Sequence, residues 1–116
     1  MPEIKSSIVL VPFPFDDFSS SKVRPALCLT QGIGEYKHVI IAFISSQIPV
    51  KQEMSDLIII KHSDEWKSTG LAVDSVIRLH KLVSIPQSII KRKLGYINLQ
   101  TQNQVEHRIR QLFDIR

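Results

Sequence analysis

The apolar positions of the chain fall in short, closely spaced runs: Ile8–Val11, Ala26–Leu29, Val39–Ile44, Leu57–Ile60, Val76–Val83 and Leu94–Ile97. Ile, Val and Phe dominate them, and polar, Gly- or Pro-bearing segments separate them, which is the signature of β-strands. The intervals leave no room for a helix after each strand, so a parallel βαβ arrangement is not expected. The pattern predicts a mainly β fold, with a small antiparallel sheet curled into a barrel. Only the last stretch, "NLQTQNQVEHRIRQLFDI", has clear helical spacing. There Asn98 is a suitable N-cap, and Val105, Ile109, Leu112 and Phe113 form one apolar face expected to pack on the core. A short helix beginning on Pro86 is predicted over "PQSII", and a weaker helical turn over "SDEWK", capped by Ser63.

One segment does not fit a simple strand-turn-strand reading. "IVLVPF" breaks on prolines and runs into Asp16, Asp17, Ser19, Ser20 and Ser21, and then Lys22 and Arg24 arrive just before "PALCL". Pro25 disfavours helical geometry at Arg24 and extends its backbone, so the side chain leaves the start of a strand in a restricted direction. Ser45-Ser46-Gln47 ends the strongest strand, "HVIIAFI". In "DSVIRLHKLV", strict alternation puts Arg78 and His80 on one face of a strand, with Ile77, Leu79 and Lys81 on the other.

Composition narrows the class. With 116 residues, 43% hydrophobic and 22% charged, the chain fits one domain spanning 1–116 with an ordinary core. No run approaches the roughly 18 apolar residues of a membrane span, and no leader is recognised at the N-terminus, so a cytoplasmic protein is expected. Cys28, the only cysteine, lies in an apolar run and is expected to be buried and reduced. The net charge of +4 and the pI of about 9.4 suit an anionic partner. The basic residues are dispersed apart from Lys91-Arg92-Lys93, which reads as a solvated edge. There is no Gly-rich phosphate loop, the four histidines are scattered, and one cysteine cannot build a zinc site, so neither a metal nor a cofactor is expected.

Taken together, "IVLVPFPF", the Ser-rich loop, "KVRPALCL", "VIIAFISSQ", "STGLAVDSVIRLHKLVSI" and the terminal helix resemble the MazF/PemK-type toxins of bacterial toxin–antitoxin systems. The resemblance implies an SH3-like barrel of the CcdB/PemK type, with a C-terminal helix and one or two short helices, assembled as a homodimer. It implies a metal-independent endoribonuclease that cleaves single-stranded RNA, often mRNA, and is neutralised by a cognate antitoxin. DNA would be met only through the complex with the antitoxin. The arginine of the family's "RP" motif is catalytic and corresponds to Arg24. The hydroxyl at the end of the strong strand corresponds to Ser45. A late-strand arginine corresponds to Arg78, and Lys22, Gln47 and His80 stand beside these as RNA-binding or auxiliary catalytic candidates.

Three positions depart from the family pattern. Ser6-Ser7 stands for the usual Gly-Asp, Ser45 for a threonine, and His80 for an aspartate. The last exchange replaces an acceptor with a group that can donate, accept or titrate near neutral pH, and leaves the general base open. The loop from about Asp16 to Val23 is expected to act as a mobile flap over an RNA groove rooted at Arg24. The alternative is a module on the same barrel that cuts nothing: a nucleic-acid binder, a CcdB-like gyrase inhibitor, or a degenerate toxin that still binds its antitoxin.

Overall fold

The computed structural model describes residues 3–12 and 22–116. Most of the expected flap, residues 16–21, lies outside the described residues. Each of the six apolar runs forms a strand: β1 (Ser7–Pro12), β2 (Val23–Cys28), β3 (His38–Ser45), β4 (Asp56–Ile59), β5 (Ser75–Pro86) and β6 (Arg92–Tyr96), followed by helix α1 (Leu99–Leu112). They make one sheet in the order β4-β5-β3-β2-β1-β6, with every neighbouring pair antiparallel. This is the mainly β architecture that the spacing implied.

The runs are continuously apolar, rather than alternating, because the central strands are buried on both faces. Ile8, Leu27, Ala42, Ile44 and Ile77 pack with Ile97 and Val105 on one side. Val9, Val11, Ala26, Val39, Ile41 and Phe43 pack on the other, where Ile4, Ile89 and Ile90 cover them. Cys28 belongs to this second cluster, and burial pushes its thiol up to about 11 despite the opposing charge of Lys93. It is protonated and unreactive at neutral pH.

The sheet closes through a loop. Between β4 and β5 the chain crosses to the β6 edge, where the Tyr96 amide donates to the Ser68 carbonyl at 2.9 Å and the Ser68 hydroxyl to the Tyr96 carbonyl at 2.8 Å. Bridging the edge in this way satisfies backbone groups that an open sheet would leave unpaired. Two glycines permit the approach. A Cβ on Gly95 would lie 2.3 Å from the Ser68 carbonyl oxygen, and one on Gly70 would lie 2.3 Å from that of Leu94. The "SDEWK" segment within this loop is a series of turns, with no regular helix. Ser63 still caps it, its Oγ accepting from the Trp66 amide at 3.3 Å.

Two helical expectations change in detail. Pro86 ends β5 and stays extended, so the 3-10 turn begins after it, at Gln87–Ile89. In α1, Asn98 does cap the helix, its Oδ1 accepting from the Thr101 amide at 2.8 Å. The apolar stripe is buried only at its N-terminal end, however: Val105 is 2% exposed and Phe113 is 56% exposed. The last turns stand off the sheet above an open groove of about 500 Å3 floored by Leu29, Ile40 and Leu82.

Strand β5 lies between β3 and β4, and its pairing with β3 is interrupted by a register shift. Its residues 82–86 pair with the first half of β3, and Val76 and Ile77 pair with Ser45 and Ile44. Between these two stretches, residues 78–81 of β5 stand opposite Phe43 alone. Such a bulge re-aims the side chains that it carries.

Candidate functional site

Arg24 and Ser45 reach the same place from adjacent strands. The ladder between β2 and β3 ends at Ala26 opposite Phe43, with Arg24 two residues before the one and Ser45 two residues after the other. Side chains two apart in a strand share a face, so both project past the last rung on the same side. Pro25 does not interrupt the sheet, since Arg24 and Pro25 still lie opposite Val11 and Leu10 of β1.

Here the surface opens into a cleft of about 670 Å3, lined by Arg24, Pro25, Phe43, Ser45, Ser46, Gln47, Arg78, Lys81 and Arg92, with Gly70–Val73 forming part of its wall. Among the described residues, four cationic side chains line it and no carboxylate does. An arrangement of one sign over an apolar floor focuses field and concentrates anions. Ser45 Oγ accepts from the Gln47 amide at 3.0 Å. The hydroxyl is thus a strand-end cap, and its own proton stays available to donate.

The candidates do not all converge. Arg24, Ser45, Gln47 and Arg78 line the cleft, whereas Lys22 and His80 are not among its lining residues. Lys22 is exposed immediately before β2. His80 Nδ1 lies 2.6 Å from the Ser55 hydroxyl. Lys81, which strict alternation assigned to the opposite face, joins Arg78 in the lining instead. The physical reason is the β5 bulge: four residues facing one cannot keep a two-residue period, and nothing in the local sequence announces it. Arg92, from the basic triplet read as a solvated edge, opens β6 on the far side of the cleft. Its signal was the triplet itself, which follows the turn into the edge strand.

Arg78 has a partner opposite it in the sheet. Asp56 faces it across the β4–β5 ladder, and Arg78 Nε donates to Asp56 Oδ1 at 2.9 Å. Burial alone would raise the Asp56 pKa. The hydrogen bonds from Arg78 and the Glu53 amide, with the charges of Arg78 and His80, outweigh it and hold the carboxyl below its ordinary value. A lowered native pKa means that the carboxylate adds stability above the unfolded-state value of about 3.9, and that this is lost as pH falls through the native value. The gap in thermal midpoint between the natural protein and Asp56→Asn should therefore be full above about pH 5 and narrow in more acid solution. A gap that does not change between pH 3 and pH 7 would contradict the charged pair.

Comparison with known proteins bears on the family and the fold. The family model of the PemK-like, MazF-like toxins of type II toxin–antitoxin systems matches residues 5–113. Among solved structures, the chain is similar to the Mycobacterium tuberculosis toxin MazF-mt6, with a TM-score of 0.69 at 20% identity over 95% of this chain and 98% of that one. An endoribonuclease in complex with its cognate antitoxin from Mycobacterial species gives a TM-score of 0.71 at 9% identity, over 100% of this chain and 98% of that one. MazF from Deinococcus radiodurans gives 0.67 at 17% identity, over 97% and 96% of the two chains. No curated protein matches by sequence. At these identities the likeness between structures speaks for the fold, and the family follows from the match along nearly the whole sequence. The chain belongs to the PemK-like, MazF-like toxin family of type II toxin–antitoxin systems.

Proposed function

We propose that this toxin is a metal-independent endoribonuclease acting on single-stranded RNA. The observation that carries this reading is the cleft in which Arg24, Arg78, Lys81 and Arg92 meet a hydroxyl, with no carboxylate among the described lining residues. Such a surface suits a polyanion with several phosphates. The 2′-oxygen of the RNA attacks the adjacent phosphorus, the bond to the 5′-oxygen breaks, and a 2′,3′-cyclic phosphate and a 5′-hydroxyl result. One proton leaves the 2′-oxygen and one reaches the 5′-oxygen.

The added negative charge on the five-coordinate phosphorus needs donors already in place, and removing one such donor costs about a hundred- to a thousandfold in rate. Arg24 supplies a planar fork for two phosphate oxygens, and a guanidinium has donors but no acceptor, so it stabilises charge and does not act as the base. Ser45 donates to the scissile phosphate or relays a proton. Arg78, Lys81 and Arg92 hold flanking phosphates, with Gln47 at the rim and Lys22 at the approach to β2. The hydrogen bond between His80 and Ser55 supports giving His80 a place in the frame around Arg78.

Replacing Ser45 separates the chemical role of its hydroxyl from the cap. Ser45→Thr keeps the hydroxyl and should cleave within a few-fold of the natural rate, whereas Ser45→Ala should lose about a hundredfold. Equal rates in the serine and alanine proteins would leave Ser45 a strand cap only.

The antitoxin-bound relative supports a cognate antitoxin as partner, and the basic charge of this chain favours an acidic one. We assign the homodimer on the same family footing. Incubating the protein with labelled single-stranded RNA in EDTA tests the activity. Discrete cleavage is expected, and RNA that is bound but left intact would instead identify a non-catalytic module.

A further inference from the structure

Ser55 and Asp56 are buried, and no step of the proposed chemistry uses them. They are fastened to three consecutive residues of β5 within its bend. Asp56 Oδ1 accepts from Arg78 Nε at 2.9 Å and Oδ2 accepts from Arg78 Nη2 at 3.4 Å. The Ser55 carbonyl accepts from the Leu79 amide at 3.0 Å, and the Ser55 hydroxyl lies 2.6 Å from His80 Nδ1. This turn is itself braced. The Glu53 amide donates to Asp56 Oδ2 at 2.9 Å, and Arg108 of α1 donates through Nη1 to the Met54 carbonyl at 2.6 Å and the Asp56 carbonyl at 3.3 Å.

We propose that Asp56 is a positioning residue for RNA binding, holding Arg78 side-on so that its unused N–H groups face a phosphate in the cleft. A guanidinium carries five N–H groups. Asp56 engages two of them, which leaves three. The exposures show which partner faces outward: the Asp56 side chain is 0% exposed and that of Arg78 is 23% exposed. An arginine at a strand bulge would otherwise sample many rotamers, and ordering it on binding would cost affinity. Asp56 orders it beforehand, and the braced turn fixes Asp56. A carboxylate on the adjacent strand thus shares the bend that removes His80 from the cleft lining.

This inference rests on the endoribonuclease reading and deepens it. Steady-state cleavage of single-stranded RNA in EDTA is compared for the natural protein, Asp56→Asn, Arg78→Leu and the double variant. Affinity for a 2′-O-methyl oligonucleotide, which cannot be cut, is measured beside it. If Arg78 holds a flanking phosphate, its loss removes uniform binding and raises KM with little change in kcat. Arg78→Leu should raise KM by about ten- to a hundredfold, and Asp56→Asn by about tenfold, each with kcat within about threefold. The double variant should be no worse than Arg78→Leu, because Asp56 acts only through that side chain.

A purely structural Asp56 would lower the thermal midpoint and leave KM unmoved, and that result overturns the inference. So does an increase in KM that is as large without Arg78 as with it. Should Asp56→Asn fail to fold, Asp56→Glu replaces it. The carboxylate is then kept but displaced by one methylene, and the same dependence on Arg78 is expected, with an additive result again overturning the inference. Cleavage by the natural protein with an additive cycle sinks this inference alone. A natural protein that neither cuts RNA nor binds the oligonucleotide sinks the endoribonuclease reading and this inference with it.

Discussion

Arg24→Lys should lose at least about a hundredfold in the rate of RNA cleavage while keeping its fold. The residue is exposed and stands in β2 opposite Val11, so the core beneath it does not depend on the guanidinium. Surface changes of this kind alter stability by about 0.5 kcal/mol, or roughly 2 °C in thermal midpoint for a domain of this size. Lysine keeps the charge and loses the planar fork. If the fork meets two oxygens of the five-coordinate phosphate, only the transition state suffers, so kcat should fall and RNA affinity should change little. Single-turnover kinetics with saturating protein read this directly. Full activity in Arg24→Lys would take Arg24 out of the chemistry, whatever its place in the cleft.

Gly95→Ala should be the most damaging conservative change to the fold. Its Cβ would meet the Ser68 carbonyl oxygen at 2.3 Å and the Thr69 carbonyl carbon at 2.6 Å. Both are backbone atoms, so no flexible side chain can yield. Either β6 or the crossing loop must move, and the paired hydrogen bonds between Tyr96 and Ser68 are strained or lost with it. Overpacking costs about 1–3 kcal/mol and two lost hydrogen bonds about 1 kcal/mol each, so roughly 3–5 kcal/mol is expected, or about 15 °C in midpoint. The same shift displaces Gly70–Val73, the wall of the cleft, so activity should fall even where the variant still folds. A native midpoint for Gly95→Ala in thermal unfolding would show that the loop does not bear on β6.

How much of this the chain discloses beforehand follows from how local each feature is. The central strands are legible because their runs are buried on both faces and need no alternation to be recognised, and the edge strands because turn residues bound their short apolar runs. Asn98 is legible because a cap acts within three residues. Arg24 and Ser45 are legible as strand-end positions, one through Pro25 and the other through the polar step after "HVIIAFI", and the cleft gathers both. What stayed hidden depends on contacts between distant segments. The bulge in β5 shows only in its register with β3, a strand some thirty to forty residues earlier, so strict alternation puts His80 where Lys81 stands. Asp56 lies 22 residues from Arg78 and meets it only through the ladder. Gly95, inside a strand, was a readable mark of close backbone approach, but its partner loop was not.

The measurement that bears most directly on the central claim is the chemistry of the cut ends. Single-stranded RNA is cleaved in EDTA, the site is mapped, and the product termini are identified. The same oligonucleotide is then made with a single 2′-deoxy nucleotide on the 5′ side of the cut. The account predicts a 2′,3′-cyclic phosphate and a 5′-hydroxyl, and no cleavage at the deoxy position although the oligonucleotide still binds. Products ending in a 3′-hydroxyl and a 5′-phosphate, or cleavage that persists at the deoxy position, would contradict attack by the 2′-hydroxyl.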